Sequence, residues 1–389
     1  MLDRQKITTF GITTTAAAAV LLAVWLKPWK TTDITATQPE PTISDRHQVD
    51  VVFAIDTTSS MGDLIDSARR TAWRIATHIK QVDPQADLHV GLIAYRDTDD
   101  FKDYVTKDFA LTDDMDAVYA ELASYQAAAG GDVPEDVDAA LYDGVYKMKW
   151  RDGATKMMFL VGDAPPATRG EVQPYNVSAH EAGVRGIRIN TIRCGHDPDT
   201  ERTWKQIAAL ASGSYASIDE DGGLSPVIAT PYDAKMAALS ATIDGTVVIY
   251  GDGRVHAEYR AKMDAKPTAA PAAADRAAYY ATEGAATGGG AHGKGASRGD
   301  GDVIGAFQAG SLDVDGLEPD KLPADLAAMS KPELQVELAR RADARVAAQK
   351  ELGELAKQRD AYLAEQAKTA SPRGGFDQAV DKAVDAELK

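Results

Sequence analysis

Short apolar runs alternate with longer amphipathic stretches between residues 51 and 217, and this alternation constrains the fold more than any other feature of the chain. The predicted strands are 51–55, 88–95, 104–109, 157–162, 188–194 and a short one near 215. The predicted helices between them are 63–82, 113–123, 135–148, 172–183 and 199–211. Strands that alternate with helices need crossover connections, so we predict an α/β fold: a doubly wound, mostly parallel sheet with helices on both faces.

Oxygen-bearing side chains follow three of the predicted strands at the point where each strand ends. Asp56 ends the first strand, and Thr58 and Ser60 follow at two-residue intervals, so an extended loop can point all three side chains the same way. Asp132 and Asp163 lie at the tips of two other strand-to-helix connections. Ligands of such sheets bind at the carboxyl ends of the strands. These five residues therefore predict a site for a hard divalent cation, Mg²⁺ before Mn²⁺ or Ca²⁺.

The residues after the first strand allow a second interpretation. Ser60 or Asp63 could cap the N-terminus of the following helix, which needs no metal. Capping leaves the acids at the other two strand tips unexplained, so we favour the metal site.

Residues 49–217 resemble a von Willebrand factor A domain. The segment D-T-T-S-S matches the D-x-S/T-x-S motif of that family's metal-ion-dependent adhesion site, and GGDVPEDV and VGDAPP are similar to later loops of its bacterial and lower-eukaryotic members. The resemblance implies that Thr58 and Ser60 bind the metal directly and that Asp56 and Asp163 hold its waters. It also implies that an acidic side chain of a protein partner completes the coordination shell.

Two positions depart from the common pattern of the family. Asp132 stands where commoner members have a threonine, and Ser59 occupies the usual glycine position. The added negative charge of Asp132 would make the site less electrophilic, which affects both the choice of metal and the affinity for an acidic ligand.

Other classes of function find little support in the sequence. A formal net charge of -17 would repel nucleic acid. A phosphatase of the haloacid dehalogenase type would need a second aspartate where Thr58 stands, and no G-x-G-x-x-G follows the first strand. We therefore do not expect an enzyme.

The N-terminal part of the chain predicts membrane attachment. The run 7–26 carries no charge and is long enough to span a bilayer, so we interpret residues 1–30 as an uncleaved signal anchor. A cleaved secretion signal is the alternative. Residues 31–48 are predicted to be a linker, and residues 49–220 the domain itself. The Lys and Arg counts on the two sides of the run are nearly equal, so the positive-inside rule barely decides the orientation. We expect the globular part to lie outside the cytoplasm, in the periplasm or at the cell surface.

The last third of the chain has a different composition. Residues 221–263 are interpreted as an extension at the domain edge, with a possible strand TVVIYG at 246–251. Residues 264–302 are rich in Ala, Pro and Gly and are predicted to be a flexible linker. Residues 303–389 are predicted to be a helical C-terminal region.

One long charged helix is predicted within that region. Ser330 and Glu333 form a capping-box pattern that opens a helix to about residue 366. Its interrupted apolar seam favours packing within the chain over a coiled coil with another chain.

Together these features predict a membrane-tethered binding protein, not an enzyme, that presents a divalent metal to an acidic side chain of a protein partner. The alternative is a scaffold or assembly subunit that acts through its long C-terminal helix, with a metal site that only stiffens three loops.

Overall fold

A single sheet of six strands lies at the centre of the computed structural model, which describes residues 47–97, 104–128, 134–167, 169–219, 227–286, 301–368 and 375–389. The strands are β1 (His47–Asp56), β2 (Ala86–Tyr95), β3 (Thr106–Thr112), β4 (Thr155–Gly162), β5 (Ile187–Cys194) and β6 (Tyr215–Ile218). Their order in the sheet is β3-β2-β1-β4-β5-β6. Neighbouring strands are parallel, except that β3 runs antiparallel to β2. The prediction of a mostly parallel α/β sheet is confirmed.

Helices connect the strands and continue beyond the last one. In the described residues they are α1 (Gly62–Val82), α2 (Met115–Ser124), α3 (Val137–Tyr142), α4 (Tyr175–Val184), α5 (Pro198–Leu210), α6 (Asp233–Asp244), α7 (Gly253–Ala265), α8 (Ala270–Ala286), α9 (Val303–Gln308), α10 (Ala324–Ala327), α11 (Lys331–Ala367) and α12 (Phe376–Leu388). A π-helical turn, Asp143–Lys147, extends α3.

The two faces of the sheet build two separate cores. Side chains alternate along β1, so Val51 and Phe53 join one apolar cluster while Val52 and Ala54 join the other. Helices α1, α2 and α12 cover the first face, and α3, α4 and α5 cover the second. Because both faces are buried, β1 reads in the sequence as a continuous apolar run.

The prediction of a flexible linker over residues 264–302 is wrong for its first part, because α8 forms there and packs on α1. Tyr279 of α8 is buried beside Trp73, with ring centroids 5.6 Å apart. Arg276 donates two hydrogen bonds to the carboxylate of Asp116, at 2.6 and 2.7 Å, and both side chains are buried. Alanine has the highest intrinsic helix propensity, so an Ala-rich stretch with such contacts becomes helical. Residues 287–300 lie outside the described residues.

The predicted strand TVVIYG is also not formed. Ile249 makes only an isolated bridge to Asp302, and the chain then enters α7. An apolar run of this length does not by itself distinguish a strand from a buried connection.

Helix α12 returns to the sheet although it follows β6 only after α6 to α11. Phe376 and Val380 belong to the same core as β1, and the ring centroid of Phe376 lies 6.2 Å from that of Phe53. Arg74 of α1 forms an ion pair with Asp377. The end of the chain therefore completes the cover of a sheet whose strands lie within residues 47–218.

Helix α11 confirms the long helix predicted from the capping box. The backbone N–H and hydroxyl of Ser330 both donate to the Glu333 carboxylate, at 2.9 and 2.7 Å. Leu338 packs among residues of α9 and α10, and Leu352 among residues of α6 and α8. The apolar seam of α11 is thus buried by the chain itself.

A buried ion pair fixes the middle of α11. Arg345 and Asp302 have fully buried side chains that contact each other, and Arg345 Nε donates to Thr246 Oγ1 at 2.7 Å.

Among the described residues, no helix has the length and apolar character needed to cross a membrane. The run 7–26 for which a span was predicted lies outside them.

Candidate functional site

The carboxyl ends of three adjacent strands meet at one edge of the sheet. Asp56, the last residue of β1, lies opposite Tyr95 at the end of β2, and Ile55 lies opposite Val161 near the end of β4. Asp163 follows β4 directly. The parallel register therefore brings the first and third predicted loops together, as expected for this fold.

The loop after β1 is organised around the Asp56 carboxylate. Its Oδ1 accepts hydrogen bonds from the backbone N–H of Thr58 at 2.8 Å and from Thr58 Oγ1 at 2.7 Å. The hydroxyl oxygens of Thr58 and Ser60 lie 3.3 Å apart. Asp56 and Thr58 are buried, whereas Ser60 is exposed to solvent. The three predicted side chains thus form one group with an open side.

The capping interpretation of this loop is wrong. Residues Ser59–Met61 form a 3₁₀ turn, and α1 begins at Gly62 with Met61 as its N-cap. Neither N-cap residue, Thr58 for the 3₁₀ turn or Met61 for α1, makes a capping hydrogen bond with its side chain. The hydroxyl of Ser60 is therefore not used to cap the helix.

Asp56 lies in an electrostatic environment that opposes its ionisation. Burial, followed by the nearby charge of Asp163, raises the pKa of Asp56 from 3.8 to about 7, against the hydrogen bonds from Thr58 and the charge of Arg96. Its Oδ2 is buried and has no hydrogen-bond partner among the residues that the structure describes. A buried oxygen of this kind normally costs free energy unless a proton, a water or a cation satisfies it.

The backbone of β4 packs closely against one side of this carboxylate. A Cβ built on Gly162 would lie 3.2 Å from Asp56 Oδ2 and would collide with the hydroxyl of Tyr95. A glycine at this position lets the carboxylate lie against the strand.

These donors fit a hard divalent cation. Adjacent ligands of an octahedral Mg²⁺ lie about 3.0 Å apart, given metal–oxygen distances of about 2.1 Å, and the longer bonds of Ca²⁺ raise this to about 3.4 Å. The separation of 3.3 Å between the Thr58 and Ser60 hydroxyls falls within this range. A cation near the orphaned Oδ2 would also offset the repulsion between Asp56 and Asp163.

Of the two remaining predicted ligands, the structure describes only Asp163. Asp163 is partly buried, and its backbone carbonyl accepts a hydrogen bond from Thr200 Oγ1 at 3.1 Å, which ties the loop to α5. Asp132 lies outside the described residues, and the element before it is the helix α2, so the prediction that it follows a strand is wrong. No group of three or more His, Cys, Asp or Glu side chains in the described ranges is arranged to hold a metal. The described part of the candidate site consists of two carboxylates and two hydroxyls.

Residues at the end of β2 also belong to this edge, and the sequence prediction missed them. Arg96 hydrogen-bonds to the loop after β1, and Asp97 is buried in an ion pair with Arg169 from the loop after β4. The available signal was the pair Arg-Asp directly after a buried strand, at the edge where ligands bind.

Comparison with known proteins agrees with this architecture. Residues 50–220 match the family model of the von Willebrand factor A domain. This match supports a von Willebrand factor A (vWA) domain in this part of the chain. The match ends just after β6, so α6 to α12 lie beyond it.

A curated relative shares part of the vWA domain. The chain is 27% identical over 117 residues to the alpha-protein kinase vwkA of Dictyostelium discoideum, which covers 30% of this chain and 18% of that protein. The chain thus spans less than a fifth of the relative's length.

Solved structures resemble the domain weakly. The conserved hypothetical protein BatB from Bacteroides thetaiotaomicron is 18% identical, with a TM-score of 0.33, over 44% of this chain and 90% of that one. The SpRpn10 VWA domain is 14% identical, with a TM-score of 0.35, over 46% of this chain and 89% of that one. At these values nothing about function is carried over from them.

Proposed function

We propose that the vWA domain binds a protein partner through a divalent cation held at the carboxyl edge of its sheet. The observation that supports this most directly is the buried Oδ2 of Asp56, which lacks a hydrogen-bond partner in the described residues beside two hydroxyls 3.3 Å apart. Thr58 and Ser60 would bind the cation directly, while Asp56 and Asp163 would hold its waters. The cation supplies a Lewis-acidic position that attracts a carboxylate of the partner.

The exposure of the donors suits this role. Ser60 faces solvent while Asp56 is fully buried, so a partner would reach the cation from the hydroxyl side only. We propose a non-enzymatic role, in which the cation binds a carboxylate of the partner. With residues 1–30 as a membrane anchor, the domain would work at the outer side of a membrane.

Metal binding can be tested by replacing two neighbouring serines, one at a time. We expect Ser60→Ala to weaken Mn²⁺ binding about tenfold or more, because a direct oxygen ligand is lost. Ser59→Ala changes the same loop at a similarly exposed residue, and we expect it to leave the Mn²⁺ affinity unchanged. Equal affinities of the two variants in a calorimetric titration would refute the assignment of Ser60.

Partner binding is tested by pull-down experiments, in which the chain captures its protein partner with and without chelator. We expect capture to be lost in chelator and in the Ser60→Ala variant. The scaffold alternative predicts capture that persists in chelator and depends on the exposed face of α11, where Val336 and Val346 are 70% and 55% exposed. Replacement of these two valines by glutamate separates the alternatives.

Asp132 gives a further test of the acidic partner. A carboxylate near the cation should strengthen its binding and weaken that of an acidic ligand, since two charges a few ångströms apart near a surface interact by about 4 kcal/mol. Asp132→Thr should therefore lower the Mg²⁺ affinity and, at saturating Mg²⁺, strengthen the capture of a Glu-containing peptide ligand. Loss of capture at saturating Mg²⁺ would show that Asp132 contacts the partner itself or that the ligand is not acidic.

A further inference from the structure

Arg96 makes an unusual set of contacts at the edge of the sheet where the cation is proposed to bind. Its side chain is 5% exposed and its guanidinium lies 4.5 Å from the ring centroid of Tyr104. Nε donates to both the backbone carbonyl and the hydroxyl of Thr57, at 3.3 and 3.1 Å, and Nη2 donates to the carbonyl of Gln126 at 2.8 Å. The planar guanidinium presents its donors at fixed angles, so these acceptors are held relative to one another.

Thr57 connects Arg96 to the candidate ligands. It lies between Asp56 and Thr58, and its backbone N–H donates to the carbonyl of Tyr95 at 3.0 Å. Its carbonyl also accepts from the backbone N–H of Ala128 at 3.1 Å. Thr57 is therefore fixed at its N–H, carbonyl and hydroxyl.

Gln126 extends the connection to a second loop. It follows α2 by two residues, in the connection between α2 and α3. A single buried side chain thus joins the end of β2, the loop after β1 and the segment after α2.

We propose that Arg96 is a positioning residue for the cation site, which holds Thr57 so that the oxygens of Asp56, Thr58 and Ser60 face one point. The proposal rests on the metal binding proposed above. Arg96 would not touch the cation. It would reduce the number of conformations that the loop can adopt without the metal.

The direction in which the cation affinity changes when Arg96 is replaced distinguishes a positioning role from a purely electrostatic one. The charge of Arg96 is close enough to lower the pKa of Asp56, so the same charge repels a cation bound there. Removal of the charge alone would strengthen cation binding, whereas loss of the loop geometry would weaken it. The direction of the change in affinity therefore reports on positioning.

The test is a titration of the full-length chain with Mn²⁺, in which electron paramagnetic resonance measures the free ion under argon at pH 8.5. The pH is alkaline so that protons compete little with the metal for the carboxylates. We expect Arg96→Met and Arg96→Lys both to bind Mn²⁺ about tenfold or more weakly, as found for residues that orient metal ligands. The lysine variant keeps the charge but cannot reach the three acceptors.

Arg151→Met is the matched control. Arg151 is less buried than Arg96 and also binds strand residues, but it pairs with Asp50 and Asp87 far from the carboxyl ends of β1 and β2. We expect this variant to have a lower melting temperature in chelator with a dissociation constant within about twofold of the wild type. Thr57→Val removes the hydroxyl that accepts from Arg96 Nε, together with its hydrogen bond to the Tyr95 carbonyl and its contact with the Tyr104 hydroxyl, with little change of shape. It should fold normally and still weaken Mn²⁺ binding measurably, so the test does not depend on the Arg96 variants being stable.

The possible outcomes separate the two proposals. If the wild-type chain binds no Mn²⁺, the metal site and the role of Arg96 both fail. If the wild type binds but Arg96→Met and Thr57→Val bind equally tightly or more tightly, only the role of Arg96 is refuted. A drop in melting temperature without a change in affinity would likewise leave Arg96 with a structural role alone.

Discussion

Asp56→Asn should stabilise the metal-free protein at neutral pH. The folded pKa of Asp56 is about 7, above the value of 3.8 for an accessible aspartate, so the folded state keeps a proton that the unfolded state has released. The contribution of Asp56 to the free energy of unfolding is thus fully present below pH 4 and falls as the pH rises to about 7. At about 1.4 kcal/mol per pH unit over three units, the loss is about 4 kcal/mol.

Asparagine is a suitable replacement because it is neutral at every pH and similar in shape. Its Oδ1 can accept the same two hydrogen bonds from Thr58. In chelator, the free energy of unfolding of Asp56→Asn minus that of the wild type should therefore rise by about 4 kcal/mol between pH 4 and pH 7.5. Carboxyl groups that do not interact with Asp56 cancel in the difference.

Urea unfolding followed by tryptophan fluorescence measures both free energies, because Trp73 and Trp204 are buried. A saturating divalent cation should reverse the order of stability at pH 7.5, since it binds the wild type and offsets the charge of Asp56. A difference that stays constant with pH, or a wild type that is the more stable protein in chelator at pH 7.5, would refute the reasoning.

Three further predictions concern other parts of the chain. Gly162→Ala should lower both the melting temperature and the Mn²⁺ affinity, because the added methyl group would collide with a buried tyrosine hydroxyl, while Gly253→Ala in an open position should change neither. Arg345→Ala should lower the free energy of unfolding by about 3–5 kcal/mol in urea titrations, since it leaves a buried carboxylate without its ion-pair partner, whereas truncation of the exposed Arg340 should have no measurable effect. Removal of residues 1–30 should release the protein from the membrane fraction, and recovery of the full-length product as a soluble protein that lacks its first residues would indicate a cleaved signal instead.

The central sheet could be predicted because its signal is local. The apolar run that becomes β1 and the change from strand to helix periodicity depend only on residues near one another in the sequence. The same holds for the capping box of Ser330 and Glu333, which opens α11 as expected. For the candidate site, the sequence indicated Asp56, Thr58 and Ser60 as one group because they follow one strand at short intervals.

The sequence misled where composition was taken as structure. Residues 264–302 have the Ala, Pro and Gly content of a linker, yet α8 is held by Tyr279 against Trp73 and by the ion pair of Arg276 with Asp116. Each of these contacts joins residues more than a hundred positions apart. No window of the sequence around α8 contains them.

The six strands of the sheet, the long helix and the oxygen donors after β1 and β4 were predictable from the order of the residues alone. Tertiary structure decided that α12 closes the core of a sheet built from residues far upstream, and that Arg96 joins two loops at the candidate site. It also decided the protonation behaviour of Asp56, whose pKa depends on burial and on the distance to Asp163. The physical reason is that propensity and periodicity act along the chain, whereas burial and electrostatic interaction depend on which residues meet in space.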